Sequence, residues 1–342
     1  AYLSDRSGEY EIYVRPQDGS GDERRVTHDG DTWRFPPRWS PDGPKLAFGD
    51  KKQRLRYADV ETGEVVDVDT SQGNDLQDYR WSPDSRWLFY TKTAESFFSS
   101  IHCHSLEEGR SHRLTGDGTN DFAPVFDPEG RYLYFLSDRD YELAFSGYEF
   151  NYLYVNPTRV YAATLEGDGP PILVPRSDEE EPKSDAEDDE ESEDADDEKP
   201  KPVVIDVEGF ASRVVALPDP PADYRALEAT GEAVLYLAGD GEETELKRFD
   251  LEDEETGVVL KGIQGYAVSG DGKKVLYRGP KGFGIVDLAP DQKVGDGALI
   301  LDGLPMRVDP RAEWAQIFVD GWRLTRDWFY DPGMHGVDWE AA

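Results

Sequence analysis

One unit recurs along this chain and restricts the fold more than any other feature in it. Trp39-Ser-Pro-Asp-Gly-Pro-Lys-Leu-Ala-Phe48 returns as Trp81-Ser-Pro-Asp-Ser-Arg-Trp-Leu-Phe-Tyr90 and as Phe126-Asp-Pro-Glu-Gly-Arg-Tyr-Leu-Tyr-Phe135. A worn copy follows at Val268-Ser-Gly-Asp-Gly-Lys-Lys-Val-Leu-Tyr277. The first three copies are spaced by 42 and 45 residues. That period is the length of one four-stranded propeller blade, so the chain is expected to be all-β and to stack its sheets radially about an axis.

Each copy has a mechanical reading. The aromatic residue ends an innermost strand. Pro-Asp-Gly then makes a tight turn, with Pro presetting φ and Gly accepting φ > 0. The next stretch alternates, Leu46 and Phe48 on one side against Ala47 on the other, and reads as the next strand with period two. A third strand, Leu55-Arg-Tyr-Ala-Asp-Val60, and an outer strand complete the unit, the outer strands closing at Arg25-Val-Thr27 and Arg113-Leu-Thr115. Residues 1–27 supply three strands of a blade without its innermost one. Later blades are less regular: an aromatic excursion, 141–154, precedes a strand at 159–165. Strands at 213–217, 233–238 and 245–250 are assigned to one further blade and 264–301 to another, about six in all.

The formal charge is −36, from 73 acidic and 37 basic residues. Such a chain lacks the cations that replace phosphate counterions, and an anionic membrane repels it; no nucleic acid and no membrane are expected as partners. Residues 178–198 hold 15 Asp or Glu and one Lys. So polar a tract cannot offset its ordering entropy and reads as a disordered surface insert. The single cysteine, Cys103, excludes an intrachain disulfide and fits a reducing, cytoplasmic setting. From Arg311 to Tyr330, Trp314, Ile317, Phe318, Trp322, Leu324 and Phe329 fall largely at helical spacing. Asp309-Pro310 is a helix start and Asp331-Pro-Gly a stop. The expected layout is propeller blades over 1–175, the acidic insert over 176–202, further blades over 203–308, and the start of a helical domain over 309–342. The chain opens inside a strand pattern and stops inside a helical one, so an internal portion of a longer protein is expected.

Three segments resemble the tricorn protease family: Phe126 to Arg139, Asp206-Val-Glu-Gly-Phe-Ala-Ser-Arg-Val-Val-Ala-Leu-Pro218, and Asp309-Pro-Arg-Ala-Glu-Trp314 running on to Arg326-Asp-Trp-Phe-Tyr-Asp-Pro-Gly-Met-His-Gly-Val-Asp-Trp339. The last resembles the join between the second, seven-bladed propeller and the first catalytic subdomain of that family. The resemblance implies a hexameric, self-compartmentalising serine peptidase that trims peptides released by a larger protease. Its second propeller would channel substrate to the active site. It also implies that the catalytic histidine lies in a Gly-Thr-Ser-His segment beyond Trp339, with the serine and its acidic partner later, after a PDZ domain. His335 lies upstream of that position and is not expected to be catalytic. The acidic tract looks long for the family.

The residues offer few sites of their own. His102-Cys-His104 has metal-ligand residue types, but on a strand Cys103 faces away from both histidines, so ordinary strand residues are the reading. No Gly-x-Ser-x-Gly elbow occurs, and Ser212 has no histidine near it in sequence. Asp42, Asp84, Asp127 and Asp271 read as turn residues rather than calcium ligands. Thus no catalytic, cofactor or metal residue is expected. Arg38 and Arg80, each just before a motif tryptophan, fall where an innermost strand lines the axis. They are expected either to steer peptide carboxylates or to pair with acids of the next blade. Two other readings compete: a free-standing, non-enzymatic propeller scaffold of the TolB kind, and the lid propeller of a prolyl-oligopeptidase relative.

Overall fold

The computed structural model of the chain describes residues 1–155, 157–173, 201–239, 241–303 and 305–342. The expected acidic insert lies almost entirely outside the described residues. Six antiparallel blades follow one another. Blade 1 has three strands, Tyr2–Ser4, Glu11–Val14 and Arg24–Arg25. Blade 2 is Arg38–Trp39, Lys45–Gly49, Arg54–Asp59 and Val65–Thr70, from axis to rim. Blade 3 is Arg80–Trp81, Trp87–Thr93, Ser99–Ser105 and Arg110–Arg113. Blade 4 is Asp121–Phe126, Tyr132–Ser137, Arg159–Thr164 and Val214–Ala216. Blade 5 is Tyr224–Ala229, Ala233–Ala238, Glu245–Asp250 and Thr256–Lys261. Blade 6 pairs Gly265–Val268, Lys274–Gly279 and Gly282–Asp287, with a bridge from Gly284 to Ala298 beyond them.

The repeated turn forms as its sequence dictates. In the four copies the backbone N–H of Gly43, Ser85, Gly130 and Gly272 donates to the carbonyl three residues earlier. All four residues have φ between 62° and 88°. Three are glycines, which meet no Cβ penalty there; Ser85 bears it. Ser85 Oγ in return accepts from the backbone N–H of Asp42 in the preceding blade, at 3.0 Å. Asp84, Asp127 and Asp271 each accept a backbone N–H within their own turns.

Period-two alternation then sews the blades together. Leu133 and Phe135 join the core shared with blade 3, while Tyr134 and Leu136 join the core shared with blade 5. Leu235 and Leu237 face blade 6, and Val234 and Tyr236 face blade 4. Leu46 and Phe48 face blade 1, and Ala47 faces blade 3. Each large side chain so buried is worth about 1.5–3 kcal/mol, which is why the middle strands carry the fold.

Two assignments made from sequence change. Val214–Ala216 pairs with Arg159–Thr164 and is the outer strand of blade 4, not a strand of blade 5. The innermost strand of blade 5 is instead Tyr224–Ala229. The aromatic excursion forms a two-stranded hairpin, Glu142–Ser146 with Asn151–Val155, between the second and third strands of blade 4. After blade 6, helix α1 runs from Pro310 to Trp328. Asp309 caps it, its Oδ1 accepting from the N–H of Arg311 at 3.0 Å, with Pro310 at the first helical position.

Candidate functional site at the propeller axis

The innermost strands bring charged groups from three blades to one place. Arg38 stands on blade 2, Arg80 on blade 3 and Glu228 on blade 5. The Arg80 guanidinium donates to Glu228 Oε1 at 3.2 Å. Blade 4 lies between those two blades in the ring, so a direct contact from 3 to 5 has to pass on its axial side. Arg80 therefore does pair with an acid, though not with one of the next blade as the sequence suggested. Both partners keep contact with solvent, with side chains 22% and 41% exposed.

A backbone irregularity aims Glu228. The register of blade 5's first strand shifts between Arg225 and Glu228, and Ala226 sits there at φ 53°. One extra residue reverses the parity of a strand. Tyr224 and Leu227, three apart, consequently share the core with blade 4, and Glu228 takes the other side. Blade 4 repeats the device: its register shifts between Phe122 and Val125, Ala123 has φ 52°, and Phe122 and Val125 pack on that same core. Holding alanine in the left-handed region costs about 1–2 kcal/mol at each site. Both bulges are tied down. The N–H of Ala123 donates to Asp78 Oδ2 at 3.0 Å, and the Tyr266 hydroxyl of blade 6 donates to the carbonyl of Ala226 at 2.6 Å. Burial, then the negative charge of Glu228, pushes the Tyr266 phenol well above its ordinary pKa, so it stays a donor.

Arg38 differs from Arg80. Its backbone carbonyl accepts from the Trp81 indole N–H at 3.1 Å, which fixes blade 2 against blade 3. Its side chain is exposed and, among the described residues, forms no ion pair. Enough protein still surrounds it that desolvation, followed by the like charge of Arg80, pulls its guanidinium below the ordinary value.

A second charged site joins α1 to the propeller. Arg323, buried, donates to Asp5 Oδ2 at 2.5 Å and to the carbonyl of Gly8. Arg326 donates to Glu9 Oε1 at 2.6 Å; that bond, together with Asp327, outweighs the opposing effect of burial and raises the guanidinium pKa. The N–H of Trp33 donates to Asp327 Oδ2 at 2.8 Å, and the Trp33 ring meets Trp328 edge-on at 5.2 Å. Asp5, Gly8 and Glu9 belong to the turn between the first two strands of blade 1. The contact is polar, and Trp314, Ile317 and Phe318 of α1 remain exposed, at 65%, 61% and 74%. A cleft beside this junction is lined by Lys51, Lys52, Arg326, Trp328 and Tyr330. Its cations are already paired, Lys51 with Asp75, Lys52 with Asp31 and Arg326 with Glu9.

The remaining candidates sit in ordinary surroundings. Cys103 is in the blade 3–4 core, where desolvation pushes its thiol up to about 12. On the other face His102 stacks on Tyr90, and burial lowers its pKa to about 4. His104 Nδ1 lies 3.0 Å from Ser111 Oγ. Ser212 Oγ donates to the carbonyl of Gly209 at 2.7 Å in a single exposed turn. His335 Nδ1 lies 3.2 Å from Asp331, and its other nitrogen meets the Tyr330 hydroxyl. Among the described residues no group of three His, Cys, Asp or Glu is placed to hold one ion, and no helix is long and apolar enough to cross a membrane.

The fold and this axial arrangement define a β-propeller joined to a helical segment that is packed back on its first blade. Residues 1–289 match the model of the tricorn protease second β-propeller domain, and residues 310–342 match that of the tricorn protease C1 domain. The chain belongs to the tricorn protease family. It is 29% identical over 327 residues to tricorn protease homolog 1 of Streptomyces coelicolor, covering 89% of this chain and 30% of that protein. It is 24% identical to the tricorn protease of Thermoplasma volcanium, over 87% of this chain and 29% of that one. A crystal structure of the tricorn protease superposes with a TM-score of 0.79 at 18% identity, over 99% of this chain and 33% of that one, which supports the fold. The chain thus spans about a third of the length of the relatives it matches.

Proposed function

We propose that this chain is the second-propeller and junction portion of a tricorn-like serine peptidase, cytoplasmic and hexameric, which trims peptides produced by a larger protease. In this reading the propeller, 1–175 and 203–308 around the acidic insert 176–202, conducts peptides along its axis. Residues 309–342 begin the helical catalytic subdomain, and the catalytic groups lie outside this chain. Arg38 and Arg80 are the substrate-channel residues.

The observation that carries the reading is the convergence of Arg38, Arg80 and Glu228 from the innermost strands of three blades. In a protein of charge −36, arginines on the innermost strands of two neighbouring blades are the local exception that gives a peptide carboxylate somewhere to bind. The free-standing TolB-like scaffold is the weaker reading, because family matches extend through the propeller into α1. The chain alone is expected to hydrolyse no peptide amide substrate. In fluorescence anisotropy it is expected to bind a labelled octapeptide, and the double variant R38E/R80E is expected to lose that binding. Turnover that a serine-reactive inhibitor abolishes, or peptide binding indifferent to the double charge reversal, would refute the assignment.

A further inference from the structure

We infer that the Arg80–Glu228 pair is a displaceable latch across the axial passage, which a carboxylate of the incoming peptide opens by taking Glu228's place on Arg80. This rests on the channel reading above and adds to it a chemical criterion for passage.

Three features of the geometry lead there. The pair reaches between blades that are not neighbours, passing on the axial side of blade 4, instead of fastening one blade to the next, as Trp81 to Arg38 does. It is a single 3.2 Å contact, half-open to solvent, and so is cheap to break: exposed ion pairs contribute about 0–1 kcal/mol. And Arg38, on the innermost strand of the neighbouring blade 2, forms no ion pair among the described residues. An arriving carboxylate therefore finds one unpaired guanidinium at Arg38 and a second that it can win from Glu228. Two guanidiniums sharing one carboxylate form charge-assisted, geometrically specific contacts. A neutral peptide gains nothing by displacing Glu228 and leaves Arg80 paired. The strain at Ala226 fits this role, because the bulge is what turns Glu228 to the axis.

The carboxylate has two sources, a peptide's C-terminus or an Asp or Glu side chain, and the test separates them. Binding of N-labelled alanine octapeptides to the chain is measured by anisotropy at low salt in three forms: free C-terminal acid, C-terminal amide, and amide with one internal glutamate. The free acid is expected to bind about tenfold tighter than the amide, equivalent to one charge-assisted pair. Preference for the glutamate-bearing amide over the plain amide shows that a side chain serves as well. Glu228→Gln is expected to strengthen acid binding several-fold while leaving the amide unchanged, since the competing negative charge is gone and both arginines remain. Arg38→Gln is expected to remove most of the acid's advantage; among the described residues its side chain has no ion pair to lose. Thermal melts check that both variants fold.

Equal binding of all three peptides overturns the latch but leaves an axial peptide channel standing. Glu228→Gln binding the acid no better than the wild type also overturns the latch. Absence of binding by every peptide overturns the latch and the channel reading together.

Discussion

The molecule uses arginine–carboxylate pairs in two places, and they do different work because their surroundings differ. At the junction, Arg323 is buried and is met by Asp5, by the carbonyl of Gly8 and, at 3.5 Å, by Asp320, while Arg326 next to it holds Glu9 and Asp327. At the axis, Arg80 holds Glu228 through one contact and both stay wet. Arg323 is enclosed and held by several groups at once, so removing it takes away a whole set of contacts; removing one partner from a singly bonded, hydrated pair costs almost nothing. The same residue types make a weld in one place and a latch in the other. Burial and the number of contacts decide which.

The largest effect should follow from breaking the weld. Arg323→Met leaves Asp5 without its guanidinium, and docking of α1 is expected to weaken by about 3 kcal/mol. Hydrogen exchange over 310–328 should then accelerate, by about a hundredfold for that free energy, with the blade strands unaffected. Arg311→Met on the same helix, exposed, serves as the control. If the two variants exchange alike, the junction is not held by Arg323.

A smaller effect should come from acid. Burial by itself would raise the Asp5 pKa, but hydrogen bonds from Gln316 and Arg323 and the positive charge of Arg323 outweigh it and hold the carboxyl below its ordinary value. A carboxylate whose folded pKa is depressed contributes stability above its unfolded pKa of about 3.9, and that contribution is lost as pH falls through the lower folded value. Docking of α1 should be constant from neutral pH to about 4.5 and weaken below it. Asp5→Asn should flatten this dependence at the cost of weaker docking at pH 7. Trp328 fluorescence, reporting its contact with Trp33, follows the transition. A wild-type profile unchanged below pH 4 would show that Asp5 is not part of the weld.

These two sites were not equally legible in the sequence. Arg38 and Arg80 could be placed on the axis because each precedes an aromatic that ends an innermost strand, and the repeat fixes that position. Glu228 could not. Its strand is followed by Thr230-Gly-Glu-Ala in place of aromatic-Ser-Pro-Asp-Gly, and a bulge reverses its parity. A chain segment between 165 and 213, carrying the acidic tract, separates the third and fourth strands of blade 4. A reading that follows the regular spacing therefore moves Val214–Ala216 into the next blade. Helix α1 was legible from Asp309-Pro310 and its apolar spacing, yet periodicity does not say which face meets the propeller. The face that does is the one with Arg323 and Arg326, because the turn it meets offers Asp5 and Glu9. Amphipathic helices pack on what their neighbours present, and here that is charge.

The smallest expected effect is the most discriminating. Glu228→Gln should change global stability by no more than about 0.5 kcal/mol, because a hydrated pair returns to water nearly what it gives up. The variant also keeps a side-chain oxygen that can accept from Arg80, so packing at the bulge is preserved. A chemical melt of the variant beside wild type measures this directly. A loss comparable with that of Arg323→Met would mean that the axial pair fastens blades 3 and 5 together, and a contact that fastens the fold cannot also yield to each passing ligand. Near-neutrality, by contrast, is what a latch requires: an interaction weak enough to exchange, held in place by backbone that is not.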